Sequence, residues 1–316
     1  MNPLSLDNYQ KHAAFSDLCG HKIAHWQSWN FDKNHHQACI VFIHGFPSAS
    51  WDWHFQWKYL ATKYRLLTLD MLGFGLSAKP KNYHYSLLEQ ADIIEALLAK
   101  KGIGNYHILA HDYGNSVAQE LLSRRNSAGK SAHVLSICWL NGGLFASHHR
   151  PLFTQKLLKS PIGGLASYLM NKASLSKGFN TIFSKASPPS DDEITILWQL
   201  IEHNNGKRVL PKLLSYIDER KQHGERWIQS MLTTTVPLYF INGVQDPISG
   251  QHMLDHYIDI IPHPRTTSLE VGHYPQLEAP HEVLSLYQAF LCDVTSQFIE
   301  MSDNKKLDQQ NQHKTI

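Results

Sequence analysis

Asp112 stands where a strand is predicted to turn sharply into a helix. The apolar run from Ile108 to Ala110 indicates a buried strand, and residues 115–122 indicate the start of a helix. The turn between them, Ala110-His111-Asp112-Tyr113-Gly114, has a small residue on each side of the carboxylate. A side chain on such a turn projects above the edge of the sheet, where it can meet a substrate.

An aspartate in this position predicts a particular chemistry. Its usual pKa of about 3.9 leaves it ionised at neutral pH, so it can displace a leaving group at carbon and form an alkyl-enzyme ester. A histidine would then activate water to hydrolyse that ester. The structural alternative is that Asp112 only caps the following helix, where aspartate is also favoured.

Two further segments supply partners for this carboxylate. Residues 237–249 predict a strand followed by a loop carrying Asp246, and residues 267–280 predict a strand followed by a loop carrying His273. Alone, Asp246 would be a turn residue before a proline, and His273 would be one of 21 histidines. The order Asp112, Asp246, His273 is the nucleophile, acid, histidine order of the α/β-hydrolase triad, and each residue follows a predicted strand.

Residues 41–53, VFIHGFPSASWDW, form a strand that runs into a His-Gly-Phe-Pro loop. In α/β hydrolases this loop supplies one amide of the oxyanion hole, and the residue after the nucleophile supplies the other. We therefore expect the amides of Phe46 and Tyr113 to form that hole. His44 and Trp51, in the same segment, are expected to contact the substrate.

These motifs resemble the epoxide hydrolase and haloalkane dehalogenase branch of the α/β-hydrolases. The resemblance rests on the H-G-F-P loop, the D-x-x-G-x-G-x-S stretch from Asp70 to Ser77, and the H-D-Y-G elbow. It is closer still to the mesoderm-specific transcript subfamily, through residues 140–145, 149–159, 213–227 and 273–280. The resemblance implies a mostly parallel eight-stranded sheet flanked by helices, with an inserted helical cap.

The same resemblance leaves the substrate open. Haloalkane dehalogenases generally hold the halide with Asn and Trp side chains at the positions occupied here by Phe46 and Tyr113, neither of which offers a side-chain N–H. Epoxide hydrolases generally have Phe at the first of these positions and use two cap tyrosines, to which Tyr216 and Tyr168 correspond. We therefore expect an epoxide hydrolase-like enzyme. The alternatives are a haloalkane or haloacid dehalogenase and a non-catalytic protein that binds a hydrophobic ligand.

The pattern of strands and helices predicts the domain organisation. Alternating strands and helices indicate a parallel α/β core in residues 1–145 and 236–300. The alternation stops in residues 146–235, which we expect to form the cap that closes the pocket and excludes water. The polar segment 301–316 is expected to be disordered.

Composition limits the remaining possibilities. The formal net charge of +2 predicts no nucleic-acid or anionic-membrane partner, and no apolar stretch is long enough for a membrane span. Four widely spaced cysteines without a CxxC pair, and an N-terminus without an apolar signal region, favour a cytoplasmic protein. We find no metal or cofactor motif. The expected partner is a small hydrophobic substrate, and the chain is expected to be a monomer or homodimer.

Overall fold

The computed structural model describes residues 5–29, 38–125 and 133–313. Within them the chain forms an eight-stranded sheet in the order β1-β2-β4-β3-β5-β6-β7-β8. The β2 strand is antiparallel to both of its neighbours, and the pairs from β4 to β8 are parallel. The strands are β1 (Ala14–Leu18), β2 (His21–Gln27), β3 (Cys39–Ile43), β4 (Arg65–Leu69), β5 (Asn105–Ala110), β6 (His133–Trp139), β7 (Leu238–Gly243) and β8 (Thr266–Leu269).

The predicted strands are present, and their burial explains their composition. The residues of β3 and β4 are all buried, as expected for central parallel strands covered by helices on both faces. The β1 and β2 strands form a hairpin and pair around a turn in which Cys19 and Gly20 both have positive φ. Two other cysteines, Cys39 in β3 and Cys138 in β6, are free thiols buried within the sheet.

Helices precede, connect and follow the strands along the chain. The helices in the first part of the chain are α1 (Leu6–Lys11), α2 (His54–Leu60), α3 (Leu87–Lys100) and α4 (Tyr113–Arg125), and a 3-10 helix spans Ser50–Trp53. After β7 the chain forms α11 (Gln251–Ile260), α12 (Pro275–Glu278) and α13 (Pro280–His313).

The chain between β6 and β7 is helical. Its elements are α5 (Phe153–Lys159), α6 (Gly163–Leu169), α7 (Lys172–Ile182), α8 (Asp191–Glu202), a 3-10 helix (His203–Val209), α9 (Leu210–Leu213) and α10 (Tyr216–Thr233). We call residues 146–235 the helical insertion. Because its last helix packs against α4, the insertion lies over the helix that follows Asp112.

Contacts divide the chain into residues 1–280 and residues 281–316. The second unit consists of the continuation of α13, which extends to His313. The structure describes residues 301–313 as the end of α13, and residues 314–316 lie outside the described residues. Disorder of the segment 301–316 stays a prediction. Residues 281–313 contain neither Gly nor Pro and include several Leu and Gln residues, a composition that is compatible with a helix.

Candidate active site

The turn at Asp112 has the geometry of a strained elbow. β5 ends at Ala110, α4 begins at Tyr113, and Asp112 between them has a φ of 45°, in the left-handed region that non-glycine residues rarely adopt. Its amide donates to the carbonyl oxygen of Asn141 at 2.7 Å, which fixes the strained peptide. A Cβ at Gly114 would clash with main-chain atoms of β3, so the turn requires glycine there.

The candidate acid and histidine lie on neighbouring loops. His273 Nδ1 and Asp246 Oδ2 are 2.7 Å apart, and both side chains are buried. The carboxylate of Asp246 also accepts hydrogen bonds from the hydroxyl of Ser249 at 2.7 Å and from the side-chain amide of Asn141 at 3.0 Å. This arrangement holds the imidazole in one orientation.

The electrostatics of this pair favour its charged form. Burial by itself raises the pKa of Asp246, but the charge of His273 and the hydrogen bonds to the carboxylate lower it to about 2. Burial lowers the pKa of His273, yet the neighbouring carboxylates, first among them Asp246, raise it above its usual value. Asp246 is therefore ionised at neutral pH and stabilises positive charge on the imidazole.

Three groups act on the carboxylate of Asp112. The amide of Phe46 donates to its Oδ2 at 3.1 Å, and Nη2 of Arg220 lies 3.6 Å from its Oδ1. Burial raises the pKa of Asp112, but the charges of His273 and Arg220 outweigh burial, so the net shift is downward. The elbow therefore carries an ionised carboxylate in a site that is almost closed to solvent, because Asp112 is 2% exposed.

Arg220 belongs to α10 of the helical insertion, and our sequence analysis missed it. Its guanidinium donates to the main-chain oxygen of Asp112 at 2.9 Å and to the hydroxyl of Ser116 at 2.7 Å. It also lies over the ring of Tyr216, 4.4 Å from the centroid. A Cβ at Gly143 would clash with this guanidinium, which explains one glycine of the Asn-Gly-Gly turn after β6.

His111, the residue before Asp112, links the elbow to the loop of His273. Its Nε2 donates to the carbonyl oxygen of His273 at 2.8 Å, and its buried Nδ1 makes no hydrogen bond with any described residue. Burial, followed by the charge of His273, lowers the pKa of His111 to about 3. His111 therefore stays neutral and holds the loop in place.

A small cavity of about 90 Å³ adjoins these groups. Asp112, His273 and Phe46 line it on the side of the core, and the helical insertion supplies most of the opposite wall. Tyr216 lies directly behind this wall: its hydroxyl accepts a hydrogen bond at 3.3 Å from Gln155, a lining residue, and its ring centroid is 6.1 Å from that of Phe46. The remaining lining residues are mostly apolar: Pro47, Leu152, Thr154, Leu158, Met170, Ser174, Leu175, Gly178, Phe179, Ile182, Leu210 and Ile248.

The structure brings Asp112, Asp246, His273, Phe46 and Tyr216 together. The ring of Tyr113 is also buried here, 5.1 Å from that of Tyr216 by their centroids. The role of the Tyr113 amide in an oxyanion hole stays a prediction.

Three of the expected substrate-binding residues lie elsewhere. Tyr168 is 72% exposed, because α6 turns it to solvent. His44 is buried and holds two loops, donating from Nδ1 to the carbonyl oxygen of Gly45 and accepting at Nε2 from the amide of Met71. Trp51 lines a separate cavity of about 750 Å³ and stacks on its neighbour His54. None of these three lines the cavity beside Asp112, so the structure does not bring them to the candidate site, and their contact with a substrate stays a prediction.

Among the described residues no cluster of His, Cys, Asp and Glu side chains has the arrangement of a metal site. In the same part of the chain no helix combines the length and apolar character that crossing a membrane requires.

This fold and this sequence belong to a known family. Residues 39–280 match the family described as alpha/beta hydrolase fold, and the chain is a member of it. It is 41% identical over 264 residues to the mesoderm-specific transcript homolog protein of Homo sapiens, covering 80% of this chain and 78% of that protein. It is 37% identical over 258 residues to the putative hydrolase LipZ of Mycobacterium tuberculosis, covering 80% of this chain and 88% of LipZ.

Solved structures share the fold at lower identity. The haloalkane dehalogenase DbeA from Bradyrhizobium elkani superposes with a TM-score of 0.75 at 18% identity, covering 90% of this chain and 99% of that one. The epoxide hydrolase CorEH superposes with a TM-score of 0.73 at 16% identity, covering 89% and 99%. The predicted α/β-hydrolase fold is thus confirmed.

Proposed function

We propose that this α/β hydrolase works without a cofactor through an alkyl-enzyme ester on Asp112, and that its substrate is an epoxide. The observation that carries the proposal is the ionised carboxylate at the elbow, with Oδ2 held by the amide of Phe46 and with the pair of His273 and Asp246 in the same site. A carboxylate in that place needs no base to become a nucleophile.

In the first step Oδ1 of Asp112 attacks an epoxide carbon, and the carbon–oxygen bond of the ring breaks. The developing alkoxide takes the hydroxyl proton of Tyr216, which requires Gln155, the lining residue hydrogen-bonded to that hydroxyl, to move aside when the substrate binds. Burial, aided by the charge of Asp112, raises the pKa of Tyr216, so this hydroxyl is protonated at neutral pH and available as a donor. The products are a hydroxyalkyl ester on Asp112 and a tyrosinate.

Formation of the ester removes the negative charge of Asp112, one of the charges that raise the pKa of His273, and so favours the neutral imidazole. In the second step neutral His273 takes a proton from water, and the resulting hydroxide attacks the ester carbonyl of Asp112. Negative charge then develops on Oδ2, which the amide of Phe46 already contacts in the free protein. The intermediate collapses, the diol leaves with the proton of the new carboxyl group, and His273 returns its proton to Tyr216. The sum is addition of one water to the epoxide.

The helical insertion acts in this proposal as a cap. It supplies Tyr216 as proton donor and Arg220 as a buried cation beside Asp112, and it closes most of the cavity. Closure excludes bulk water, which strengthens every electrostatic interaction at the reacting carbon. Arg220 is a positioning residue here, since it fixes the main chain of Asp112.

Carbon–halogen cleavage by the same triad is the second candidate. One observation favours it: the guanidinium of Arg220 brings N–H groups next to Asp112, whereas the side chains of Phe46 and Tyr113 offer none to a leaving halide. Halide release from a panel of haloalkanes and haloacids distinguishes it from epoxide opening. A non-catalytic ligand-binding protein would instead show binding without turnover, unchanged by Asp112→Ala.

Trapping the ester tests the mechanism directly. His273→Gln should accumulate a covalent adduct whose mass equals that of the epoxide and whose site maps to Asp112, because hydrolysis of the ester is blocked. His84→Gln is the control, since the side chain of His84 is 82% exposed. In wild type, turnover in oxygen-18 water should place label in the carboxylate of Asp112. Product formation without label in that carboxylate would refute the covalent route.

A further inference from the structure

Helix α6 has its large apolar residues on the outside. Gly163 and Ser167 are buried on its inner face, whereas Leu165 and Leu169 are 61% and 65% exposed. Surface helices normally show the reverse pattern, with the apolar stripe facing the core. An exposed patch of this kind is informative because solvent contact of large apolar groups is unfavourable.

The patch extends beyond this helix. Among the described residues, five of the seven exposed large apolar side chains lie in α5, in α6 or just before α6. We call them the α5–α6 face: Phe153, Ile162, Leu165, Tyr168 and Leu169. Because α5 packs against α6, the five side chains belong to one part of the surface.

The sequence around this face is basic. Residues 146–190 contain six Lys and Arg and no Asp or Glu, although the whole chain has a net charge of only +2. Lys159 and Lys172 form ion pairs with Asp218 and Asp191, which lie outside this stretch. Lys156 and Lys177 are exposed. The ammonium group of Lys207 lies 5.6 Å from the ring centroid of Tyr168.

The candidate active-site cavity opens beside the same face. Thr154 of α5 and Ser174 of α7 line the cavity and are exposed, so the cavity reaches the surface between these helices. Met170, which directly follows Leu169 of the face, is also a lining residue.

We propose that the α5–α6 face docks on an anionic lipid bilayer, with its apolar side chains in the interface and its lysines against the headgroups. Exposed apolar groups with lysines in the same stretch of sequence suit such a surface, which attracts basic segments and accepts apolar side chains at the headgroup boundary. If the proposed function holds, docking places the cavity mouth at the bilayer, and the substrate is a lipophilic epoxide that enters from the membrane. The net charge of +2 predicted no anionic-membrane partner because it sums over the whole chain and hides the basic stretch 146–190.

Vesicle flotation tests the docking without any need for turnover. The full-length protein should float with phosphatidylcholine vesicles that contain phosphatidylserine, float much less with phosphatidylcholine alone, and lose binding as salt rises. The double variant Leu165→Ser/Leu169→Ser should weaken binding to the mixed vesicles about a hundredfold, at roughly tenfold for each buried Leu. Ile258→Ser is the matched control, since Ile258 is 44% exposed on α11 and should change nothing.

Charge is tested separately with Lys156→Gln/Lys177→Gln, which should reduce binding to the mixed vesicles about fivefold per lysine and abolish the preference for phosphatidylserine. Binding that is unaffected by the leucine variant, or equally affected by Ile258→Ser, overturns the proposal. The proposal is also overturned if the wild type does not bind vesicles but forms a concentration-dependent dimer that the leucine variant abolishes. The α5–α6 face would then join two copies of the chain. Ester trapping with a water-soluble epoxide tests the proposed function independently of vesicles.

Discussion

Arg220 donates a hydrogen bond to the main-chain oxygen of Asp112 at 2.9 Å, so the helical insertion is tied directly to the strained turn of the core. The same guanidinium lies 3.6 Å from the carboxylate of Asp112. Both groups are buried, with exposed fractions of 2% for each residue. Because both groups are buried, water cannot replace the Arg220 guanidinium if it is removed. Its removal should therefore lower the free energy of unfolding and shift the pKa of Asp112.

Arg220→Met keeps much of the side-chain stem and removes the cation. Because the charge of Arg220 helps to lower the pKa of Asp112, that pKa should rise in the variant. The acid limb of the pH profile for ester formation should therefore move to higher pH, and the free energy of unfolding should fall by about 3–5 kcal/mol. Single-turnover ester formation across pH and urea denaturation measure the two effects.

Arg226→Met is the control for this variant, since Arg226 lies on the same helix but pairs with Glu120. It should leave the acid limb in place. If both variants leave the limb where it is, Arg220 has no electrostatic influence on Asp112.

Tyr216→Phe removes the proposed proton donor while keeping the buried ring. Loss of one donor to a developing oxyanion typically costs about a hundredfold in rate, so alkylation by an epoxide should slow by about that factor while hydrolysis of the preformed ester continues. Pre-steady-state kinetics separate the two steps. Tyr168→Phe is the matched control and should have no effect, because Tyr168 is 72% exposed. Equal alkylation rates in wild type and Tyr216→Phe would remove the main reason to favour epoxides over halides.

Asp246→Asn should affect stability and the orientation of His273 together. The pKa of Asp246 lies at about 2, below its usual value of 3.8. Its carboxylate therefore contributes about 2 kcal/mol to the free energy of unfolding above pH 3.8, and this contribution is lost as the pH falls through about 2. In the variant this contribution should be absent at neutral pH, and ester hydrolysis should fall by about four orders of magnitude through misorientation of the imidazole. Urea denaturation and single-turnover hydrolysis are the measurements. Asp218→Asn is the control: its side chain is 61% exposed, so the substitution should change neither stability nor ester hydrolysis. Normal ester hydrolysis in Asp246→Asn would exclude Asp246 as the acid of the triad.

His111 should make the protein sensitive to mild acid. Its pKa in the fold is about 3, below its usual value of 6.5, so the unfolded chain binds a proton in this interval that the folded chain does not. The free energy of unfolding should therefore decrease as pH falls from about 6.5 toward about 3, by up to roughly 1.4 kcal/mol per pH unit from this residue. His111→Gln should reduce the slope of unfolding free energy against pH, and His84→Gln should not. An unchanged slope in His111→Gln would mean that other groups carry the acid sensitivity.

Local patterns were sufficient for much of this molecule. Most strands were predictable because buried parallel strands appear as apolar runs, and Asp112, Asp246 and His273 became candidates because each follows a predicted strand. Tyr168 was misplaced because a short sequence pattern does not say which face of a helix meets the core, and α6 buries its small residues instead.

Arg220 was missed for a different reason. It lies in the segment Asp218-Glu219-Arg220-Lys221, which has the composition of a solvated helix face. The usable signal was its spacing: Arg220 follows Tyr216 by four residues and precedes Trp227 by seven, so the three share one face of α10. A cation on an aromatic helix face is a better candidate for burial than one in a charged run.

Asn141 contacts both acidic residues of the candidate site: its main-chain oxygen accepts from the amide of Asp112, and its side-chain amide donates to the carboxylate of Asp246. The two therefore share a single anchor at the end of β6. A displacement of Asn141 is therefore expected to move Asp112 and Asp246 in the same direction. With one shared support, the distance between the two residues should depend less on the exact position of β6 than it would with two separate supports.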